Sequence, residues 1–153
     1  MAALRAFGAG FTIIEVMVTV AITAVLVSVA APSFVSLVAD QRAKSAASNL
    51  LTALNVTRSE AIKQNANVTL QPKSGGWQNG WVVVNPGGGA NLLDSNAPGV
   101  PIAGGPAGVS YNAGGRIAAT STAPSFTIGE SGMPQRCVSV DLSGRPHIKA
   151  SAC

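Results

Sequence analysis

The sequence predicts an α+β protein in which a long N-terminal helix packs on a C-terminal antiparallel β domain. An uncharged apolar stretch opens the chain and is followed by a segment with helical periodicity. Beyond Asn67 the apolar residues alternate as they do in strands, and the 17 glycines and 9 prolines favour many turns. A length of 153 residues suits one domain in addition to the apolar stretch.

The apolar stretch runs from Val16 to Ala39 without a charged residue. At 1.5 Å per residue a helix of this length measures about 36 Å, which exceeds a bilayer core of about 30 Å. We therefore expect residues 11–41 to form a transmembrane half-helix. Pro32 should bend this helix, because proline removes a backbone donor and crowds the preceding turn.

A short leader precedes the apolar stretch. Residues 1–10 contain one charged residue, Arg5, and end in the small residue Gly10. A secretory signal is cut after its apolar segment, which is then lost, whereas a cut after Gly10 would keep that segment. We expect cleavage between Gly10 and Phe11, so that the mature protein begins with its own membrane anchor.

Glu15 is an acid at the edge of the apolar stretch. A carboxylate at the centre of a membrane helix costs on the order of 2.5–3.5 kcal/mol on insertion scales, and such residues usually have a partner. The candidate partner is the new amine of Phe11, and the amine of a neighbouring subunit would meet Glu15 in better geometry than that of the same chain. An ordinary single-span anchor is the alternative interpretation.

The residues Gly10, Phe11, Thr12 and Glu15 form the pattern G-F-T-x-x-E, which resembles the N-terminus of type IV pilins and pseudopilins. The resemblance implies that a prepilin peptidase cleaves after Gly10 and methylates the amine of Phe11, and that Glu15 draws subunits into a filament. It also implies an inner-membrane protein with its soluble domain in the periplasm, and a place in a pilus at the cell surface after assembly. The implied partners are other pilin subunits, the pilus assembly machinery and the prepilin peptidase.

The helix is predicted to continue into the soluble domain and to end near residues 65–67. Its apolar residues recur at intervals of three and four, so that one face can pack on a sheet. These residues are Ala43, Ala47, Leu50, Leu51, Leu54, Ala61 and Ile62. Residues 58–62 read R-S-E-A-I, which resembles the GspH/FimT class of minor pilins and pseudopilins, although the same residues could form an unremarkable solvated turn of helix.

Residues 42–153 are predicted to form a GspH/FimT-like β domain of short strands. Val68–Gln71 and the segment Trp77–Asn85 read as a hairpin whose tryptophans belong to the core. The W-x-x-G-W pattern of residues 77–81 resembles the same class. Residues 86–115 read as loops with a few short strands, and later strands are predicted at residues 116–118, 125–128 and 137–142.

Cys137 and Cys153 are predicted to form a disulfide, because they lie in the part of the chain that should face the periplasm or the exterior. Closing a loop of roughly 15 residues contributes roughly 3 kcal/mol in the chain-entropy model. The sequence predicts no catalytic residue, no cofactor and no metal site. His147 is the sole histidine, and neither C-x-x-C, G-x-S-x-G nor a phosphate-binding lysine loop occurs.

The last part of the chain is basic. Arg136, Arg145 and Lys149 surround a turn at residues 143–146 and could meet a phosphate backbone without reading its sequence. Residues 144–149 resemble the G-R-x-R motif of DNA-binding FimT-like pilins, with His147 at the second basic position. The resemblance implies binding of double-stranded DNA during natural transformation, and a solvated basic turn is the alternative.

Three functions therefore remain open at the level of sequence. The chain could be a minor pilin that initiates or caps a type IV pilus, or the same kind of subunit used to capture extracellular DNA. It could also be a pseudopilin of the type II secretion system. None of the three requires an enzymatic activity of its own.

Overall fold

The computed structural model describes residues 10–118 and 123–153, and within the helix the side chains of residues 29–32 are not described. The predicted leader up to residue 9 therefore lies outside the described residues, and at Pro32, where a bend is predicted, only the backbone is described. The chain divides into two compact units, one that ends at Val35 and one that comprises Ser36–Cys153.

Helix α1 spans Ile13–Gln64. In the first unit its apolar side chains, such as those of Met17 and Leu26, are exposed. No single helix of the described residues is both long and apolar enough to cross a bilayer. By length and composition alone, the bent pair of segments Ile13–Ser28 and Ser33–Gln64 meets that requirement.

In the second unit, α1 packs against the β domain through a stripe of small and aliphatic residues. The prediction of this face is confirmed for Ala43, Ala47, Leu50, Leu54 and Ala61, which are all fully buried. Leu51 is only partly buried, and the assignment of Ile62 to the core is wrong because its side chain is 51% exposed.

Three further residues of α1 are buried, namely Ala46, Ala53 and Thr57. The buried hydroxyl of Thr57 donates a hydrogen bond of 2.6 Å to the carbonyl of Ala53. Because five of the buried positions of α1 are alanines, the helix backbone can approach the sheets closely.

Helix α1 ends at Gln64, which agrees with the predicted end near residues 65–67. The residue that follows, Asn65, has a left-handed backbone conformation. Asn65 has a φ of 50°. The amide of Ala66 donates to the carbonyl of Ala61 at 3.2 Å, and the amide of Asn65 donates to that of Ile62 at 3.3 Å. This pair of bonds is the Schellman motif, which satisfies carbonyls that the last helical turn would otherwise leave free.

Eight strands follow among the described residues. They are β1 (Val68–Pro72), β2 (Trp81–Val84), β3 (Leu93–Ser95), β4 (Ile102–Gly104), β5 (Val109–Tyr111), β6 (Ser125–Ile128), β7 (Arg136–Val140) and β8 (Pro146–Lys149). They form two four-stranded antiparallel sheets, with the orders β3-β2-β1-β5 and β4-β6-β7-β8. The predicted α+β architecture is confirmed.

One continuous core joins α1 to both sheets. It contains the largest buried side chains of the second unit, among them Leu50 and Leu54 from the helix, Trp81 and Tyr111 from the first sheet and Phe126 from the second. Trp77 is also buried, and its ring meets that of Phe126 edge to face at a centroid distance of 4.8 Å. The prediction that both tryptophans belong to the core is confirmed.

Most predicted strands occur, with two differences. Residues 77–79 form a turn of 3-10 helix rather than strand, because Gly76 and Gly80 on either side have φ values of 108° and 99°. At residues 116–118 the structure shows a single bridge between Tyr111 and Ile117 rather than a strand. The predicted strand at 125–128 is confirmed, and that at 137–142 corresponds to β7, which gives way to a turn at Asp141.

Candidate functional site

The first candidate site is the junction between Gly10 and Phe11. Residues 10–12 have no regular secondary structure, and α1 begins at Ile13. Phe11 is 81% exposed. A Cβ on Gly10 would meet no atom of the described residues within 4 Å. The fold therefore leaves this peptide bond accessible and does not itself demand a glycine at position 10.

Thr12 caps the N-terminus of α1. Its hydroxyl accepts a hydrogen bond of 3.2 Å from the amide of Glu15, and its carbonyl accepts the amide of Val16 at 3.2 Å. Threonine followed three residues later by glutamate is a capping pattern in its own right, and it is a signal in the sequence for the start of α1. The spacing of Thr12 and Glu15 therefore stabilises the start of α1, in addition to matching the G-F-T-x-x-E pattern.

Glu15 occupies the first turn of α1, where a negative charge interacts favourably with the helix dipole. Its side chain is exposed, and within residues 10–118 and 123–153 no hydrogen bond or ion pair of its carboxylate is found. Among the described residues, the carboxylate therefore has no partner that would compete with an external group.

The second candidate site is the turn between β7 and β8, which Asp141 organises. Its Oδ1 accepts hydrogen bonds from the hydroxyl of Ser143 at 2.6 Å and from the amide of Arg145 at 2.9 Å. Its carbonyl accepts the amide of Gly144 at 2.9 Å. The hydrogen bond from Ser143 is the main reason why the pKa of Asp141 lies below its ordinary value, and those from the backbone lower it further.

The structure separates the three basic residues that the sequence grouped together. Arg145 and Lys149 are exposed on the β7–β8 hairpin. Lys149 pairs in register with Cys137, so Arg136, the neighbour of Cys137, faces the opposite side of the sheet. There its guanidinium binds the carboxylate of Asp40 on α1. Arg145 and Lys149 thus share an open surface that Arg136 does not.

The predicted disulfide between Cys137 and Cys153 is confirmed. The two Cα atoms are 4.9 Å apart. The amide of Cys153 also donates to the hydroxyl of Thr127 on β6 at 3.1 Å. These two interactions hold the last residues of the chain across β6 and β7.

His147 lies opposite Ser139 in the register of β7 and β8. Its Nε2 is 2.8 Å from the hydroxyl of Ser139, and its side chain is exposed. No cluster of three or more histidine, cysteine, aspartate or glutamate residues is found in the described part of the chain. Among the described residues, His147 therefore belongs to a hydrogen-bonded pair with Ser139 and not to a group of metal ligands.

Comparison with known protein families identifies two segments. Residues 46–144 match the family described as type II transport protein GspH, and residues 8–31 match the prokaryotic N-terminal methylation motif. The chain belongs to the GspH family. A search of curated proteins gave no match.

Solved structures place the GspH-family domain in the type IV pilin-like fold. The structure resembles the type IV minor pilin FimU of Pseudomonas aeruginosa strain PAO1 in two crystal forms, with a TM-score of 0.60 for each. The sequence identities are 24% and 22%. The similarity covers 69% and 71% of this chain and 91% and 89% of the FimU chains.

The GspH match includes the end of α1, where the R-S-E-A-I pattern now has a structural explanation. Arg58 donates a hydrogen bond of 2.9 Å from Nε to the carbonyl of Gly115 in the turn after β5. Ala61 is buried in the core. The carboxylate of Glu60 accepts hydrogen bonds from the side chains of Gln64 and Lys63. Both hydrogen bonds lower the pKa of Glu60, and the one from Gln64 has the larger effect. The pattern thus fastens α1 to the β domain.

The methylation-motif match contains Gly10, Phe11 and Glu15. The GspH match ends at residue 144, so Arg145 and Lys149 lie beyond it. Membership of the family therefore carries no information on Arg145 in the β7–β8 turn or on Lys149 in β8.

Proposed function

We propose that this chain is a minor type IV pilin that takes part in the assembly or initiation of a pilus. The observation that carries the proposal is the exposed, non-helical Gly10–Phe11 junction within the methylation motif, directly before an apolar helix. A prepilin peptidase would remove residues 1–10 and methylate the amine of Phe11. Residues 11–41 would then anchor the protein in the inner membrane, with residues 42–153 in the periplasm.

Glu15 is the proposed docking residue. Its carboxylate is exposed in the isolated chain and would become costly in hydrocarbon without a partner. The positive amine of Phe11 on a neighbouring subunit provides that partner, and the exposed apolar side chains of the first unit provide a surface for neighbouring helices. The partners of this protein are accordingly other pilin subunits, the assembly machinery and the prepilin peptidase, of which it is a substrate rather than an enzyme.

Replacing the carboxylate tests this docking. The variant Glu15→Gln should insert in the membrane but be several-fold depleted in sheared filaments, because the amide carries no charge to attract the amine. Glu60→Gln is the matched control, since Glu60 binds residues of its own helix turn. Incorporation of the Glu15→Gln variant at the level of the native chain would show that the proposed pairing is not needed.

A pseudopilin of the type II secretion system is the alternative, which the description of the matching family supports. The similarity to the minor pilin FimU favours the pilus. Deletion of the gene separates the two functions. Loss of surface pili with normal export of secreted proteins supports the minor pilin, and loss of export with normal pili supports the pseudopilin.

DNA capture is a second candidate function, in which the assembled subunit binds double-stranded DNA for natural transformation. It is favoured by the exposure of Arg145 and Lys149, neither of which has a carboxylate within ion-pair distance among the described residues. Arg136 was the third predicted contact, and its ion pair with Asp40 leaves it the smallest expected contribution.

Binding of a DNA duplex to the full chain in detergent at low salt tests this candidate. Arg145→Ala and Lys149→Ala should each weaken binding. Lys73→Ala should not, because Lys73 is already paired with Asp94 at 2.6 Å. A native chain that binds no duplex would exclude DNA capture and leave filament assembly as the function.

A further inference from the structure

Two turns that are distant in sequence meet at one end of the β domain. Gly144, in the β7–β8 turn, has a φ of 83°, and a Cβ at this position would lie 2.2 Å from the carbonyl oxygen of Gly115. The same Cβ would lie 3.1 Å from the Cα of Arg116. The contact between the two turns therefore requires a residue without a side chain at position 144.

Internal hydrogen bonds hold the turn after β5. The side-chain oxygen of Asn112 accepts the amides of Gly114 at 3.0 Å and Arg116 at 3.1 Å. The guanidinium of Arg58 binds the carbonyl of Gly115 from the helix side. Asp141 organises the facing turn in the same way, through Ser143 and the amide of Arg145. Both turns are thus fixed before any ligand arrives.

The contact brings the backbones of two exposed arginines, Arg116 and Arg145, close together. Arg145 follows Gly144 directly, and Arg116 lies against Gly144, so their Cα atoms are at most about 8 Å apart, given 3.8 Å between consecutive Cα atoms. Neither guanidinium has a carboxylate within ion-pair distance in the described part of the chain. By contrast, Lys63, Lys73 and Arg136 are each paired with an acid.

The charge of Asp141 interacts with that of Arg145. Its Oδ1, however, is already occupied by the hydroxyl of Ser143 and the amide of Arg145. Among residues 10–118 and 123–153, neither guanidinium is engaged in an ion pair, which leaves their donors to a ligand.

We propose that Arg116 and Arg145 form one phosphate-binding surface for the backbone of double-stranded DNA, held in place by the contact between Gly144 and Gly115. The proposal rests on the second candidate function above and adds Arg116, which lies outside the basic hairpin. A guanidinium can donate two parallel hydrogen bonds to the oxygens of one phosphate. Because both arginines lie on rigid turns, their backbones lose little conformational freedom when they bind.

The test is a salt titration of duplex binding by the full chain in detergent. Each phosphate contact contributes about −0.9 to the slope of log K against log salt. Arg116→Ala should reduce the magnitude of the slope by about 0.9 and weaken binding roughly eightfold at 0.1 M salt, and Arg145→Ala should do the same. Lys73→Ala is the charge-matched control and should leave the slope unchanged.

A second pair of variants tests the geometry without a change of charge. Gly144→Ala should weaken binding, because its Cβ would force the two turns apart. Gly88→Ala is the matched control, since Gly88 also has a positive φ of 79° but open space around it. Circular dichroism of each variant reports whether it has folded, and the Arg116→Ala result decides the proposal if Gly144→Ala does not fold.

The outcomes distinguish a role of Arg116 from DNA capture as such. Binding that depends on Arg145 and Lys149 but not on Arg116 overturns this inference and leaves DNA capture in place. Absence of duplex binding by the native chain overturns both. A slope that falls by about one contact on the loss of Arg116, with Lys73→Ala unchanged, supports the shared surface.

Discussion

Arg58 and Gly115 are 57 positions apart in the chain and are joined by a hydrogen bond of 2.9 Å from the guanidinium Nε to the backbone carbonyl. The bond ties the last turns of α1 to the turn after β5. Ile62, one turn further along the helix, also approaches Gly115, where a Cβ would lie 2.7 Å from its Cδ1. The end of the helix and this turn therefore behave as one structural unit.

The variant Arg58→Ala should lower the free energy of unfolding by about 1.5–3 kcal/mol, the usual range for a hydrogen bond to a charged group. Denaturant unfolding of the full chain in detergent measures the change. Lys63→Ala is the control, because the side chain of Lys63 is 74% exposed and its pair with Glu60 should contribute less than about 0.5 kcal/mol. Equal stability of Arg58→Ala and the native chain would show that the hydrogen bond between Arg58 and Gly115 does not stabilise the fold.

The disulfide should stabilise the β domain by restricting the unfolded chain. The double variant Cys137→Ser with Cys153→Ser should lose roughly 3 kcal/mol of unfolding free energy. Reductant should cause a similar loss in the native chain and none in the variant. A native chain whose denaturation midpoint is unaffected by reductant would show that the bond does not stabilise the fold.

The β7–β8 turn should loosen at low pH. The pKa of Asp141 is lowered from its ordinary value of 3.8, chiefly by the hydrogen bond from Ser143. Its contribution to stability is thus complete above pH 3.8 and is lost as the pH falls through the lower pKa of the folded chain. An NMR titration of the carboxyl carbon should show Asp141 titrating below 3.8. Ser143→Ala should raise that pKa, and a native value at or above the ordinary one would refute the assignment.

The ion pair between Asp40 and Arg136 should have a larger coupling free energy than the more exposed pair between Lys73 and Asp94. The side chains of Asp40 and Arg136 are 32% and 16% exposed, whereas those of Lys73 and Asp94 are 31% and 60% exposed. A double-mutant cycle with Asp40→Ala and Arg136→Ala should give a coupling of about 1 kcal/mol or more, and the cycle on Lys73 and Asp94 a smaller one. The reverse order of the two couplings would contradict this ranking.

Local patterns made much of the fold predictable. The apolar periodicity of residues 43–61 identified the buried face of α1, and the alternation at Ser125–Ile128 identified β6. The 3-10 turn at Trp77 was missed because it depends on the positive φ values of its two flanking glycines. Ile62 was misassigned because helical spacing alone does not show where the sheet stops covering the helix.

The candidate site was only partly predictable, because its contacts join distant parts of the chain. Arg136 and Asp40 are separated by 96 positions, so the basic cluster read from the sequence included a residue that the fold directs elsewhere. Arg116 was not singled out, because only the folded chain brings it to Gly144. By contrast, the pattern at Gly10, Phe11 and Glu15 is contiguous and was recognised directly.

The mass of the intact mature protein, purified from cells with an active prepilin peptidase, tests the central claim most directly. We predict a chain that begins at Phe11 and carries one added methyl group on its amine, and we predict that Gly10→Val retains the leader. A native mature mass that still includes residues 1–10 would contradict the assignment of this chain as a processed filament subunit.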